Sequence, residues 1–283
     1  MTAARPLLLV GGGKMGGALM AGWIDRGIPA ADIFVVEPNP DFASALARDH
    51  GVTAVTAAGD LPADFSPELV MFAVKPQVMA DVVPTYRPFA GPATVFLSIA
   101  AGTPIAFFQN LLGETAAIVR AMPNTPAAVG RGVSVACVND RVTDGQQKLC
   151  HDLLAAVGQV HWVTDEDLLH AVTGLSGSGP AYVFHLVECL ARAGRAAGLP
   201  DDLADSLARA TVEGAGELLH RAATDTPETL RRNVTSPGGT TAAGLTVLMG
   251  GDPNKDDPAN GPLGDLVTDC VAAAARRSRE LAD

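Results

Sequence analysis

Basic residues are in short supply. The 283-residue chain carries 20 Lys and Arg against 31 Asp and Glu, a formal charge of −11. Nucleic acid and anionic membrane surfaces attract the opposite sign, so neither is expected as a partner. Long apolar runs are missing as well: stretches such as Leu69–Val74 fall far below the ~20 residues that a bilayer demands of a helix. The four cysteines, at 137, 150, 189 and 270, form no CxxC pair. That spacing offers no disulfide framework or zinc site and suits a reducing compartment. The six histidines are equally scattered, so no metal is expected, and His185 inside a helical stretch reads as structural. No secretory pattern precedes Leu7–Val10, which runs straight into glycines; the expected location is cytoplasmic.

Apolar material, by contrast, is plentiful. Hydrophobic residues make up 48% and charged residues 18%, enough for a sizeable core in one large domain or two ordinary ones. Up to about residue 164, short β-rich runs alternate with helical text. Leu7–Val10, Ile33–Glu37, Leu69–Lys75, Thr94–Ile99, Ile118–Val119, Val133–Val138 and Gln159–Val163 read as strands, with Ala18–Asp25 and Phe42–Asp49 among the helices between them. Such alternation predicts an α/β domain, a doubly wound parallel sheet covered on both faces. From residue 165 to 283 the strand signal stops, and an all-helical domain is expected. Its helices Ala181–Ala193 and Ala204–Leu219 are apolar around much of their circumference. A helix of that kind needs burial on every side, which predicts a homodimer formed through this domain.

Two motifs carry chemistry. Gly11-Gly12-Gly13-Lys14-Met15-Gly16 has GxGxxG spacing, leaves a strand at Val10 and enters a helix. In that context Gly11 permits the turn, Gly13 lets backbone approach a pyrophosphate, and Gly16 lets helix and strand pack closely. Glu37 ends the second strand, where an acid takes the adenosine ribose hydroxyls; its charge repels a 2′-phosphate and favours NADH over NADPH. The second motif, Ser236-Pro237-Gly238-Gly239-Thr240-Thr241, is a glycine turn before a helix and supplies free N–H groups and three hydroxyls. It is suited to gripping a small carboxylate or phosphate. A capped helix with a flexible entry is the plainer reading of the same residues.

Taken together, these pieces resemble the pyrroline-5-carboxylate reductase family along the whole chain. The likeness rests on the glycine loop, Phe72–Gln77, Ser98–Gly102, Arg120–Pro126, Ala171–Tyr182 and Asn233–Thr241. The resemblance implies a Rossmann domain followed by a helical dimerisation domain, with dimers commonly assembled into decamers. It implies that Gly11, Gly13, Lys14, Met15, Gly16, Ala73, Val74, Lys75, Pro76, Ala100, Ala101 and Asn233 line the cofactor. It also implies that Glu166, Ser236, Gly239, Thr240 and Thr241 meet the substrate, although Glu166 reads equally as orienting a helix at the domain junction. Many NADPH-using members carry serine or threonine where Glu37 stands, so resemblance and local charge point to different cofactors.

The reaction implied is reduction of the C=N bond of 1-pyrroline-5-carboxylate to L-proline. The N–H groups of Gly239 and Thr240, with the Ser236 hydroxyl, are expected to fix the carboxylate, and Thr241 to meet the ring nitrogen. Gly174–Pro180 reads mainly as a helix-packing device, and Met122–Pro126 as a rigid connection. Two other classes are compatible with the glycine loop. A β-hydroxyacid-type dehydrogenase needs a lysine in the helical domain, and Lys255 is the only lysine after Glu166. A non-catalytic dinucleotide sensor has no use for the 236–241 turn.

Overall fold

The computed structural model describes residues 5–253 and 261–282, so Lys255 lies outside the described residues. By packing, the chain divides into two compact units, Met1–Ser178 with Ala274–Asp283, and Gly179–Ala273.

The first unit is built on an eight-stranded sheet. Its strands are β1 (Leu7–Val10), β2 (Ile33–Val36), β3 (Thr53–Val55), β4 (Leu69–Phe72), β5 (Val95–Ser98), β6 (Ala117–Met122), β7 (Gly132–Val138) and β8 (Gly158–Trp162), in the order β3-β2-β1-β4-β5-β6-β7-β8. Around them lie helices α1 (Lys14–Asp25), α2 (Pro40–His50), α3 (Met79–Val82), α4 (Ile105–Leu112), α5 (Asp144–Ala155) and α6 (Leu168–Val172). The helices begin where local chemistry starts them. The Asn39 side chain accepts the Phe42 N–H ahead of Pro40, and Thr143 forms a reciprocal capping box with Gln146.

Successive strand residues point to opposite faces, which splits the core in two. Leu7, Leu9, Leu69, Met71, Val95 and Leu97 pack with Leu19, Met20 and Trp23 of α1 and with Leu153 and Leu154 of α5. Leu8, Val70, Phe72 and Phe96 pack on the other side against Tyr86, Phe108 and Leu112. Each such fully buried side chain contributes about 1.5–3 kcal/mol. Trp23 is enclosed completely and still satisfies its indole N–H, on the Leu153 carbonyl at 3.0 Å.

Two features of the sheet differ from the sequence expectation. All neighbouring strands are parallel except β6 and β7. The connection 123–131 between that pair is too short for a crossover helix, so the chain returns antiparallel. In addition, β3 forms an edge strand that its short text did not announce. The packing division at 178/179 falls later than the change of text at 164/165 because α6 and the π-helical turn Thr173–Gly177 pack on the sheet unit. Leu169 is fully buried in the second core, and Gly177 leaves room for Met122.

The second unit is helical. Helices α7 (Gly179–Ala196), α8 (Asp201–Arg221), α9 (Pro227–Asn233) and α10 (Thr240–Met249) are followed by α11 (Pro262–Glu280), whose last turns belong to the first unit. Few of its apolar side chains are covered within one chain: Ala191 is the buried residue of α7, while Phe184, Leu186, Leu218 and Leu219 are exposed. Among the described residues, no helix is long and apolar enough to cross a membrane.

Candidate functional site

The glycine loop joins β1 to α1. Gly11 has φ +97°, and a Cβ there would lie 2.8 Å from Val74 Cγ1 and 3.0 Å from the Ala73 backbone. A Cβ at Gly16 would meet the Gly11 carbonyl oxygen at 2.3 Å. Both positions therefore require glycine. Gly13 is different: nothing comes within 4 Å of its Cβ position, and it stands at the N-cap of α1 with no capping side chain. Open space in front of uncapped helix N–H groups suits a pyrophosphate, which the helix field also favours. Glu37 holds the far side of the loop. Its Oε2 accepts the Gly12 N–H at 3.0 Å and its Oε1 the Asn39 N–H at 3.2 Å.

The C-terminal ends of β1, β4, β5 and β6 meet where the strand order reverses, the place at which open α/β sheets bind ligands. A cleft of about 310 Å³ opens there, and it gathers Met15, the run 73–76, Ala100 and Ala101 from the expected set. Met122–Thr125, Ile99 and Gly177 complete its wall. Asn124, largely buried, is fully engaged: its Oδ1 accepts the Val133 N–H at 2.9 Å, and its Nδ2 donates to the Ser176 carbonyl at 3.1 Å. Both ends of its amide are thus tied to backbone, and it shapes the wall.

A second cleft, of about 350 Å³, lies beyond Glu37 and is lined by Val36, Pro38, Thr56, Val78, Val82 and Tyr86 among others. Its apolar walls suit a flat heteroaromatic ring. Sequence reading missed it because its residues come from four separate stretches of the chain, at 10, 36–38, 56–58 and 74–86, and share no motif. Burial pushes the Tyr86 phenol up to about 12, so Tyr86 stays neutral there.

Glu166 lies in the sheet unit. Its Oε1 accepts from Arg120 Nη1 at 2.6 Å and from the Ile105 N–H at 2.8 Å. Arg120 is only 3% exposed. Nearby, His170 Nδ1 meets Ser278 Oγ at 2.9 Å, which pins the end of α11 to α6. Burial, helped by the Arg120 and Arg279 charges, holds the His170 imidazole below its ordinary pKa.

Ser236, Gly239, Thr240, Thr241 and Asn233 belong to the second unit. Gly238, at φ +69°, makes the turn, and Gly239 is the N-cap of α10. The Gly239 N–H donates to the Ser236 carbonyl at 3.0 Å. The turn thus consumes a donor that the sequence reading had aimed at an anion, and the N–H groups of Thr240 and Thr241 remain at the helix start. Gly239 also lines a cleft of about 530 Å³ with Pro237, Ala242, Thr246 and Asp252, whereas Ser236, Thr240 and Thr241 do not. Asn233 ends α9 and is exposed.

A glycine loop at a helix start, an acid after the second strand and a cleft at the reversal of strand order define a class: Rossmann-type oxidoreductases that use a nicotinamide dinucleotide. Comparison with known proteins narrows it. Residues 166–281 match the model for pyrroline-5-carboxylate reductase dimerisation, and residues 7–102 that for NADP oxidoreductase, coenzyme F420-dependent. A pyrroline-5-carboxylate reductase from Pseudomonas aeruginosa is 36% identical over 277 residues, covering 98% of this chain and 97% of its own. One from Pisum sativum is 38% identical over 273 residues, covering 96% and 94%. Among solved structures, a pyrroline-5-carboxylate reductase from Coxiella burnetii superposes with a TM-score of 0.88 at 31% identity, covering 99% of this chain and 100% of its own. The Plasmodium falciparum enzyme, solved with NADP bound, has a TM-score of 0.80 at 27% identity and full coverage of both chains. The chain belongs to the pyrroline-5-carboxylate reductase family.

Proposed function

We propose that this chain reduces the C=N bond of 1-pyrroline-5-carboxylate to give L-proline, using NADH in preference to NADPH. The observation that carries the reading is the cleft at the strand reversal. There the glycine loop, the 73–76 run and the 99–101 turn converge in a chain whose family likeness is nearly full length. The Plasmodium falciparum relative supports a dinucleotide in this fold, and Glu37, braced against the loop, supports the choice of NADH.

When bound, the reduced nicotinamide supplies the hydride. The protein's own part is binding and orientation. The α1 N-terminus and Gly13 hold the pyrophosphate, and Ala73–Pro76 with Ala100 and Ala101 fix the nicotinamide. The N–H groups of Thr240 and Thr241, with the Ser236 hydroxyl, take the imine's carboxylate at the start of α10, and Gly239 adds no side chain to obstruct it. The Thr241 hydroxyl bonds the ring nitrogen and passes it a proton from water. A protonated imine is already electrophilic, so positioning accounts for most of the barrier lowering, up to about 7–11 kcal/mol. Asn233 serves the cofactor from the end of α9. The exposed apolar residues of α7 and α8 support burial in a homodimer, and five such dimers would give a decamer; the setting is cytoplasmic.

Absorbance at 340 nm with 1-pyrroline-5-carboxylate and each reduced cofactor tests the activity. In Thr241→Ala we expect turnover to fall at least tenfold with dinucleotide affinity unchanged, about the loss for a removed transition-state contact. Wild-type turnover in that variant would remove the role assigned to Thr241.

A further inference from the structure

Helix α4 has no cap of its own. Its N-cap is Pro104, which offers no side-chain acceptor, and its first turn carries no acid. The acceptor comes instead from Glu166, 61 positions further along the chain, whose Oε1 takes the Ile105 N–H at 2.8 Å. A carboxylate at a helix N-terminus is favoured by the helix dipole as well as by the hydrogen bond. That carboxylate is itself anchored, because Arg120 Nη1 lies 2.6 Å from the same oxygen and the guanidinium is buried.

What this bracket joins is informative. The connection from β5 to α4 contains Ile99, Ala100 and Ala101, one wall of the dinucleotide cleft. At its start, Ser98 is paired in register with Arg120 across β5 and β6; at its end, Ile105 is held by Glu166. Two residues beyond Arg120, Met122 begins the opposite wall. One ion pair therefore fixes the spacing of both walls, and both of its members lie outside the cleft lining.

We infer that Glu166 and Arg120 are a positioning pair for the nicotinamide half of the cofactor: Glu166 acts through the 99–105 connection. This rests on the cofactor reading of the cleft and deepens it. A static structural brace would lower stability and weaken every ligand together. A positioning pair affects the nicotinamide half selectively, because the glycine loop and the Glu37 side of the site are built without it.

The test is calorimetric titration of Glu166→Gln with NADH and with ADP-ribose, which lacks the nicotinamide. Gln keeps the shape and an acceptor for the Ile105 N–H but removes the charge that Arg120 requires. Arg120→Lys, which retains the buried positive charge, is the second variant should the first not fold. The expected result is NADH binding weakened about tenfold, the scale of one charge-assisted hydrogen bond, with ADP-ribose changed less than about twofold. Equal loss of both ligands, or unchanged NADH binding with a raised KM for the imine alone, overturns the inference. Wild-type protein that binds neither ligand overturns the cofactor reading itself, and the inference with it.

Discussion

Replacing Glu37 separates two consequences of a single carboxylate. Its two oxygens accept the Gly12 and Asn39 N–H groups, so the charge is held at the end of β2, beside the place where an adenosine ribose lies in this fold. A 2′-phosphate there carries about −1.5 to −2 charges at neutral pH. Unit charges 4 Å apart repel by about 1 kcal/mol in water and about 4 kcal/mol near a protein surface. Taking about 2 kcal/mol as the net penalty gives NADH an advantage of about 30-fold in kcat/KM. Glu37→Gln keeps an acceptor for the buried Gly12 and removes only the charge. It is expected to narrow the gap to within a few-fold while Tm changes little. Glu37→Ser should narrow the gap equally but cost about 1.5–3 kcal/mol of stability, because the Gly12 N–H loses a charged partner. Initial rates at 340 nm with both cofactors, alongside thermal melts, read the two effects separately. A wild-type preference for NADPH, or Gln and wild-type enzymes with the same cofactor ratio, would refute the argument.

Gly16→Ala places a methyl 2.3 Å from the Gly11 carbonyl oxygen, a backbone atom that cannot swing aside. Overpacking of this kind costs about 1–3 kcal/mol, and we expect a lower Tm together with weaker dinucleotide binding; an unchanged melt would show that α1 shifts freely. The buried His170 sets a pH dependence. Its folded pKa lies below the ordinary 6.5, so as pH falls through that value the unfolded chain takes up a proton before the native one does. Native stability should drop as pH falls below the ordinary 6.5 and level off once the native imidazole also protonates. The charged groups acting on it are Arg120 and Arg279, which lower its pKa, and Asp167 and Glu166, which raise it. In His170→Asn the Tm–pH slope in that interval should flatten; a profile parallel to wild type would rule this group out as its source.

How legible each part was follows from how local its cause is. The glycine loop could be read because Gly16 answers to Gly11, five residues away, and the motif spacing encodes both even though Gly11 itself packs on the distant Ala73 and Val74. The strand runs β1 and β4 were legible since burial on two faces leaves an unbroken apolar word. The direction of β7 was not, being set by the brevity of 123–131 rather than by any residue in the strand. The pairing of Arg120 with Glu166 was hidden for a related reason: nothing near either residue marks its partner, and only the sheet brings them together. The Gly239 donor was misjudged because a type of turn, not a residue type, decides which N–H it consumes.

The last ten residues fold with the sheet rather than with the helices that precede them. Leu281 covers Gly102, with its Cβ 3.3 Å from where a methyl would stand, and Ser278 satisfies His170. A nucleotide-binding fragment cut at residue 178 would therefore be born incomplete, with a buried imidazole exposed and the back of the 99–105 connection stripped. A free-standing version of that unit has to carry the 274–282 segment with it.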